Sequence, residues 1–206
     1  PGGMNKMSER ILTVIAGLLA ALVLGLAMFW QPQLEERPLP KAALAEGGDF
    51  TLQSADGPVA LKDFRGKVVL LYFGYTYCPD ICPTSLAATS AGLRLLTPDE
   101  QARVAMIFVS VDPKRDTLPR LKEYVEFFHP SILGTTDTQE NIAAVARRYG
   151  VFYAEQKVET AGDGYVVDHS ADTYVIAPDG KLAGRIAHAT PPDLVAATIR
   201  KYLNQP

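Results

Sequence analysis

Residues 67–75, KVVLLYFGY, form an almost unbroken apolar, β-branched and aromatic run, and the chain's only two cysteines follow directly after it. A strand of this composition has no polar face to offer water, so it belongs inside a sheet that is covered on both sides. Cys78 and Cys82 come next, in Tyr-Cys-Pro-Asp-Ile-Cys-Pro. Pro83 suits the first position of a helix, where its missing N–H costs nothing. Leu86, Leu93 and Leu96 then recur at helical spacing over 83–96. The cysteine pair therefore lies between the carboxyl end of a buried strand and the start of a helix, where open α/β sheets place their ligand and reactive sites. With Pro83 at the first helical position, Cys82 becomes the N-cap. There the free N–H groups and the helix dipole favour a thiolate.

The remaining pattern is consistent with that placement. Short strands at 50–52 and 59–61 flank the turn signal Ser-Ala-Asp-Gly-Pro. Further strands are expected at 104–111, 132–134, 151–158, 173–176 and 182–186. Helices are expected at 117–128, at 138–149 with Gly150 as C-cap, and from Pro191-Pro192 to about residue 203. The order β-β-β-α-β-α-β-α-β-β-β-α predicts an α/β sheet with helices on its faces. The expected architecture is a thioredoxin-like fold with an N-terminal β-hairpin over residues 47–206.

The N-terminal part reads differently. Pro1-Gly2-Gly3 ahead of Met4 is read as a cloning scar, within a short tail over residues 1–10. Residues 11–30, ILTVIAGLLAALVLGLAMFW, carry no charge and end in an aromatic pair. At about 1.5 Å per residue such a helix spans roughly 30 Å, the thickness of a bilayer's hydrocarbon core. A single transmembrane helix is expected, because a signal peptide's apolar stretch is shorter, about 7–15 residues. Residues 31–46, with three prolines and mixed charge, read as a tether. Lys6 and Arg10 beside the amino terminus favour an N-in orientation, which places the folded domain on the outer, oxidising side. Net charge is −3 with His neutral, and −4 once the tail's +1 is set aside. That leaves no electrostatic footprint for a phosphate backbone, so nucleic acid is not expected as a partner.

The two cysteines admit two readings. A structural disulfide is the plain one, but a bridge closing so short a loop removes little unfolded-state entropy. The alternative is a reactive or metal-binding pair, and two sulfurs alone rarely define a redox-capable metal site. Among the three histidines, His129 sits at a helix end, where capping or solvation is the usual role, and His188 lies between a strand and the last helix with no polar cluster around it. His169 lies in Val-Val-Asp-His-Ser-Ala-Asp, in a loop entering a strand that thioredoxin-like folds bring beside the cysteine loop. Its chemistry leaves a ligand role and a structural role both open. Asp168 is a candidate for orienting the imidazole, although neighbours on a strand point to opposite faces. Asp112, Arg115 and Asp116, in DPKRDT, read as a turn and helix start, with Asp116 or Thr117 as the cap.

Taken together, YFGYTYCPDICPTSL, SVDPKRDT and VDHSADTYVI resemble the Sco/SenC copper chaperones of cytochrome c oxidase assembly, over residues 46–205. The resemblance implies one copper bound by Cys78, Cys82 and His169, with Cys78 and Cys82 also redox-active. It implies a metallochaperone rather than an enzyme, with the copper-bearing subunit of cytochrome c oxidase as recipient and a further periplasmic copper chaperone as a second partner. The mitochondrial targeting features of the family's eukaryotic members are not visible, so a bacterial inner-membrane protein with its soluble domain in the periplasm is expected. The ligand chemistry agrees: two thiolates and one imidazole suit Cu(I) and can also hold Cu(II), whereas structural zinc sites take four ligands.

Three alternatives use the same fold. A membrane-anchored thiol–disulfide oxidoreductase reducing the partner's copper-ligand cysteines needs only Cys78 and Cys82. A peroxidase would need Thr or Ser where this chain has Tyr75. A copper-responsive sensor would use the same site for signalling.

Overall fold

The computed structural model describes residues 15–19, 22, 45–158 and 164–204. The chain divides into two units, Pro1–Lys41 and Ala42–Pro206, and the second carries the fold described below. Residues 15–19 and 22 are helical. Among the described residues no helix is long and apolar enough to cross a membrane. Most of the expected span at 11–30, and all but the end of the tether at 31–46, lie outside the described residues.

The main sheet has seven strands in the order β2-β1-β5-β4-β3-β8-β9. These are β1 (Thr51–Ser54), β2 (Gly57–Ala60), β3 (Val68–Gly74), β4 (Val104–Ser110), β5 (Ile132–Thr136), β8 (Thr173–Ile176) and β9 (Leu182–Ile186). β3 runs parallel to β4 in register from Val68↔Val104 to Gly74↔Ser110, and antiparallel to β8. All seven residues of β3 are buried, as its uninterrupted apolar sequence requires. The helices are α1 (Ile81–Arg94), α2 (Pro98–Ala102), α3 (Leu118–Phe128), α4 (Gln139–Arg148) and α5 (Pro192–Leu203). A separate two-stranded ladder pairs β6 (Tyr153–Lys157) with β7 (Tyr165–His169).

Four local features differ from the sequence expectation. The N-terminal hairpin closes through a two-residue turn, Ala55-Asp56, with Gly57 at φ +115°. Residues read as turn therefore enter the strands. Pro58 is tolerated because β2 is the sheet edge, where one ladder N–H is dispensable. The short helix α2 was not foreseen, yet Thr97 and Glu100 form a reciprocal capping box at its start. His169 does not sit in a loop but ends β7, a strand absent from the expected order.

The fourth difference bears on the site. α1 starts at Ile81, with Asp80 as N-cap, two residues before Pro83. Proline is tolerated throughout a first turn, because none of those N–H groups has an intrahelical partner. Cys82 is therefore not the cap. It lies inside the first turn, and its N–H is one of the helix's uncommitted donors.

Candidate metal centre

The centre is assembled at the carboxyl end of β3. The chain leaves the strand at Gly74, and the loop through Tyr75, Thr76 and Tyr77 delivers Cys78, whose N–H donates to Tyr75 O at 3.2 Å. The first turn of α1 delivers Cys82, whose N–H donates to Cys78 Sγ at 3.4 Å. β7 delivers His169, whose Nε2 lies 3.2 Å from Cys82 Sγ. The two Sγ atoms and a ring nitrogen of His169 all lie within 4.8 Å of one another, and no second such group of three occurs among the described residues. Both thiols are free.

The imidazole is held by its other edge. Nδ1 lies 2.9 Å from Ser170 O, so Nδ1 carries the proton and Nε2 turns its lone pair toward the sulfurs. Tyr72 and Tyr75 meet the ring edge-on, with centroids 6.2 and 5.8 Å away. Asp168 is exposed, and the Nδ1 contact that orients the ring goes to the Ser170 carbonyl.

The thiols are electrostatically unequal, and in the reverse sense to the sequence expectation. The Cys82 side chain holds the Cys78 thiol well below its ordinary range. Burial opposes this, while His169 and the Cys82 N–H add to it. Burial, reinforced by Cys78, pushes the Cys82 thiol far up. Burial also depresses His169, but its contacts with Cys78 and Ser170 O outweigh that and leave it raised. The helix start contributes to the reversal, because the free N–H of the first turn belongs to Cys82 and points at Cys78.

Two supporting residues carried no local signal. A Cβ at Gly74 would stand 2.6 Å from Cys82 Sγ and 3.0 Å from the Tyr72 ring, so only glycine lets the thiol lie against the strand end. Asp116, read as a helix cap, is instead buried beneath the cysteine loop. It accepts hydrogen bonds from Thr76 N at 3.0 Å, Thr76 Oγ1 at 2.6 Å and Ser110 Oγ at 2.6 Å. Arg120 Nε donates to the same Thr76 hydroxyl at 2.7 Å. Thr117 occupies the cap position of α3 without a side-chain cap bond.

The neighbouring residues of DPKRDT secure the hairpin that carries His169. Tyr165 donates from its hydroxyl to Asp112 Oδ1 at 2.9 Å, Arg115 pairs with Asp112, and its guanidinium lies 3.7 Å from the Tyr165 ring centre. Closer to the site, Val167 N donates to Tyr75 Oη at 3.2 Å. The remaining histidines each meet a serine hydroxyl: His129 Nδ1 meets Ser131 Oγ and His188 Nδ1 meets Ser85 Oγ, both at 2.8 Å.

A cavity of about 470 Å³ opens beside the centre, lined by Tyr75, Cys78, Asp80, Ile81, Asp168 and His169 among others. One side of the three-donor group is thus reachable from outside. The donor set is soft and incomplete for a four-coordinate ion, which fits copper better than structural zinc.

Fold and site together define a thioredoxin-like domain with a two-thiol, one-imidazole centre at the end of its central strand. The SCO1/SenC family profile matches residues 40–204, and the chain belongs to that family. It is 39% identical over 173 residues to the mitochondrial protein SCO2 homolog of Bos taurus, covering 83% of this chain and 64% of that protein. The chain thus spans slightly less than two thirds of that relative's length. A structure of Arabidopsis thaliana ScoI with copper bound superposes with a TM-score of 0.71 at 37% identity, covering 78% of this chain and 99% of that one. The structure of BsSco, described as a member of the Sco family of cytochrome c oxidase assembly proteins with a disulfide switch, gives 0.60 at 26% identity. That match covers 78% of this chain and 95% of BsSco.

Proposed function

We propose that the chain is a copper metallochaperone: it holds one copper ion through Cys78 Sγ, Cys82 Sγ and His169 Nε2 and delivers it to the copper-bearing subunit of a cytochrome c oxidase during assembly. The observation that carries this reading is the convergence of three soft and borderline donors within 4.8 Å beside an open cavity. A three-donor site with one accessible side lets a recipient ligand bind before the donor ligands leave, and delivery requires that order. The likeness to copper-bound ScoI supports copper as the cargo. Transfer tests the proposal. The copper-loaded chain, mixed with the apo copper domain of an oxidase subunit, loses its copper to that domain; retention of the metal under those conditions contradicts delivery.

The working location in this reading is the outer face of a bacterial inner membrane, with residues 11–30 as anchor and the domain in the periplasm. The uncharged apolar run supports the anchor. A second periplasmic copper chaperone would supply the ion.

A second reading is favoured by the inequality of the thiols. A depressed Cys78 beside a raised Cys82 suits a dithiol that attacks with the first sulfur and resolves with the second. Cys78 thiolate would open a partner's disulfide, Cys82 would displace it, and two electrons would leave the dithiol as a Cys78–Cys82 disulfide forms. Turnover on a disulfide substrate by a His169→Ala variant separates this activity from copper delivery, because only delivery needs the imidazole.

A further inference from the structure

Tyr72 lies on β3 two residues before Gly74, on the same face of the strand and wholly buried. Its ring stacks on Phe108 at 6.1 Å and meets His169 edge-on at 6.2 Å. Among the described residues its hydroxyl has no hydrogen-bond partner, although a buried phenol ordinarily finds one. The groups it faces are Cys82 and Ser85. Ser85 Oγ is already engaged with His188 Nδ1. The methyl that Gly74 lacks would touch both Cys82 Sγ and the Tyr72 ring, so phenol and sulfur share one small space at the strand end.

In the free chain this buried donor faces the Cys82 side chain without a hydrogen bond. On a metal, Cys82 is a thiolate, which accepts and does not donate. We infer that Tyr72 is a positioning residue of the metal centre, whose hydroxyl donates a hydrogen bond to the Cys82 sulfur when that sulfur is a metal-bound thiolate. Such a bond draws electron density from the sulfur and so weakens its donation to copper, a recognised means of setting a copper centre's potential. Donation favours Cu(II) over Cu(I), so Tyr72 raises the potential and biases the site toward Cu(I). The inference rests on the copper-binding reading above.

The test compares copper-loaded wild type with Tyr72→Phe, read by the sulfur-to-copper(II) absorption band and by the reduction potential. Phenylalanine removes one oxygen that has no partner in the free chain. Losing the hydrogen bond raises the sulfur donor orbital, so the band of Tyr72→Phe moves to longer wavelength and the potential falls. Replacing the Tyr72 phenol by its 3-fluoro analogue, a stronger donor that keeps the ring and hydroxyl, moves both quantities the other way. An unchanged band and potential in either variant overturns the inference while leaving copper binding intact. Absence of any sulfur-to-copper band in the wild type overturns the copper reading, and the inference with it.

Discussion

Cys82 Sγ and His169 Nε2 lie 3.2 Å apart although 87 residues separate them in the chain. The contact joins the main sheet, through the first turn of α1, to the two-stranded ladder that β7 forms with β6. Whatever fixes the ladder to the sheet therefore fixes the third donor.

Tyr75 is one such link, because its hydroxyl accepts the buried N–H of Val167, two residues before His169. Tyr75→Phe leaves that N–H unpaired, at a cost of about 1–3 kcal/mol. Hydrogen exchange at Val167 accelerates and copper affinity falls, while β3 and β4 keep their protection. Amide exchange read by residue checks this, and equal slowing or speeding across all strands would contradict it.

Gly74→Ala sets a methyl 2.6 Å from Cys82 Sγ. Overpacking of this kind costs roughly 1–3 kcal/mol. The displaced sulfur lowers copper affinity by roughly 10–100-fold, the range for lost support around a metal. Competition against a Cu(I) chelator gives the number. Wild-type affinity in Gly74→Ala would mean that the sulfur position is not critical.

Asp116 underpins the cysteine loop through three accepted hydrogen bonds. Asp116→Ala strands the Thr76 and Ser110 donors and destabilises the domain by about 3 kcal/mol. For a domain of this size that lowers Tm by roughly 6–12 °C. Calorimetry of the isolated variant measures it; a shift below about 2 °C would place Asp116 outside the loop's support.

The legible and illegible parts of the site divide along physical lines. The position of Cys78 and Cys82 follows from a strand too apolar to face water and the helix start after it, both local patterns. His169 is different: its own sequence left ligand and structural roles open, and the motif resemblance favoured the ligand. The start of α1 was misplaced by two residues because Pro83 fits any position of a first turn, and that error assigned the favoured thiolate to Cys82 instead of Cys78. Gly74 and Asp116 act through clearance and buried hydrogen bonds between segments up to 40 residues apart, for which no local pattern exists. Strand β7 escaped notice because its pairing with β6, and the Tyr75 hydroxyl that anchors it, are long-range as well.

The depressed Cys78 thiol has consequences for pH. The folded chain binds fewer protons there than the unfolded chain, so the associated stability is full above the ordinary thiol value, about 8.5. It is lost as pH falls through the depressed folded value. Alkylation by iodoacetamide reports the same group. The rate at Cys78 stays nearly flat between about pH 6 and 8, where an ordinary thiol gains about tenfold per unit. Cys82, with no exposed surface, stays unlabelled in the folded protein. Peptide mapping by mass spectrometry distinguishes the two, and a tenfold-per-unit rise at Cys78 would contradict the assignment.

The three-donor centre itself is tested most directly by an anaerobic copper titration of wild type and His169→Ala, each in competition with a chelator. Wild type takes up one copper per chain, and His169→Ala binds more weakly by more than the roughly 10–100-fold that loss of an outer partner produces. Equal affinity in the two proteins would contradict the centre described here.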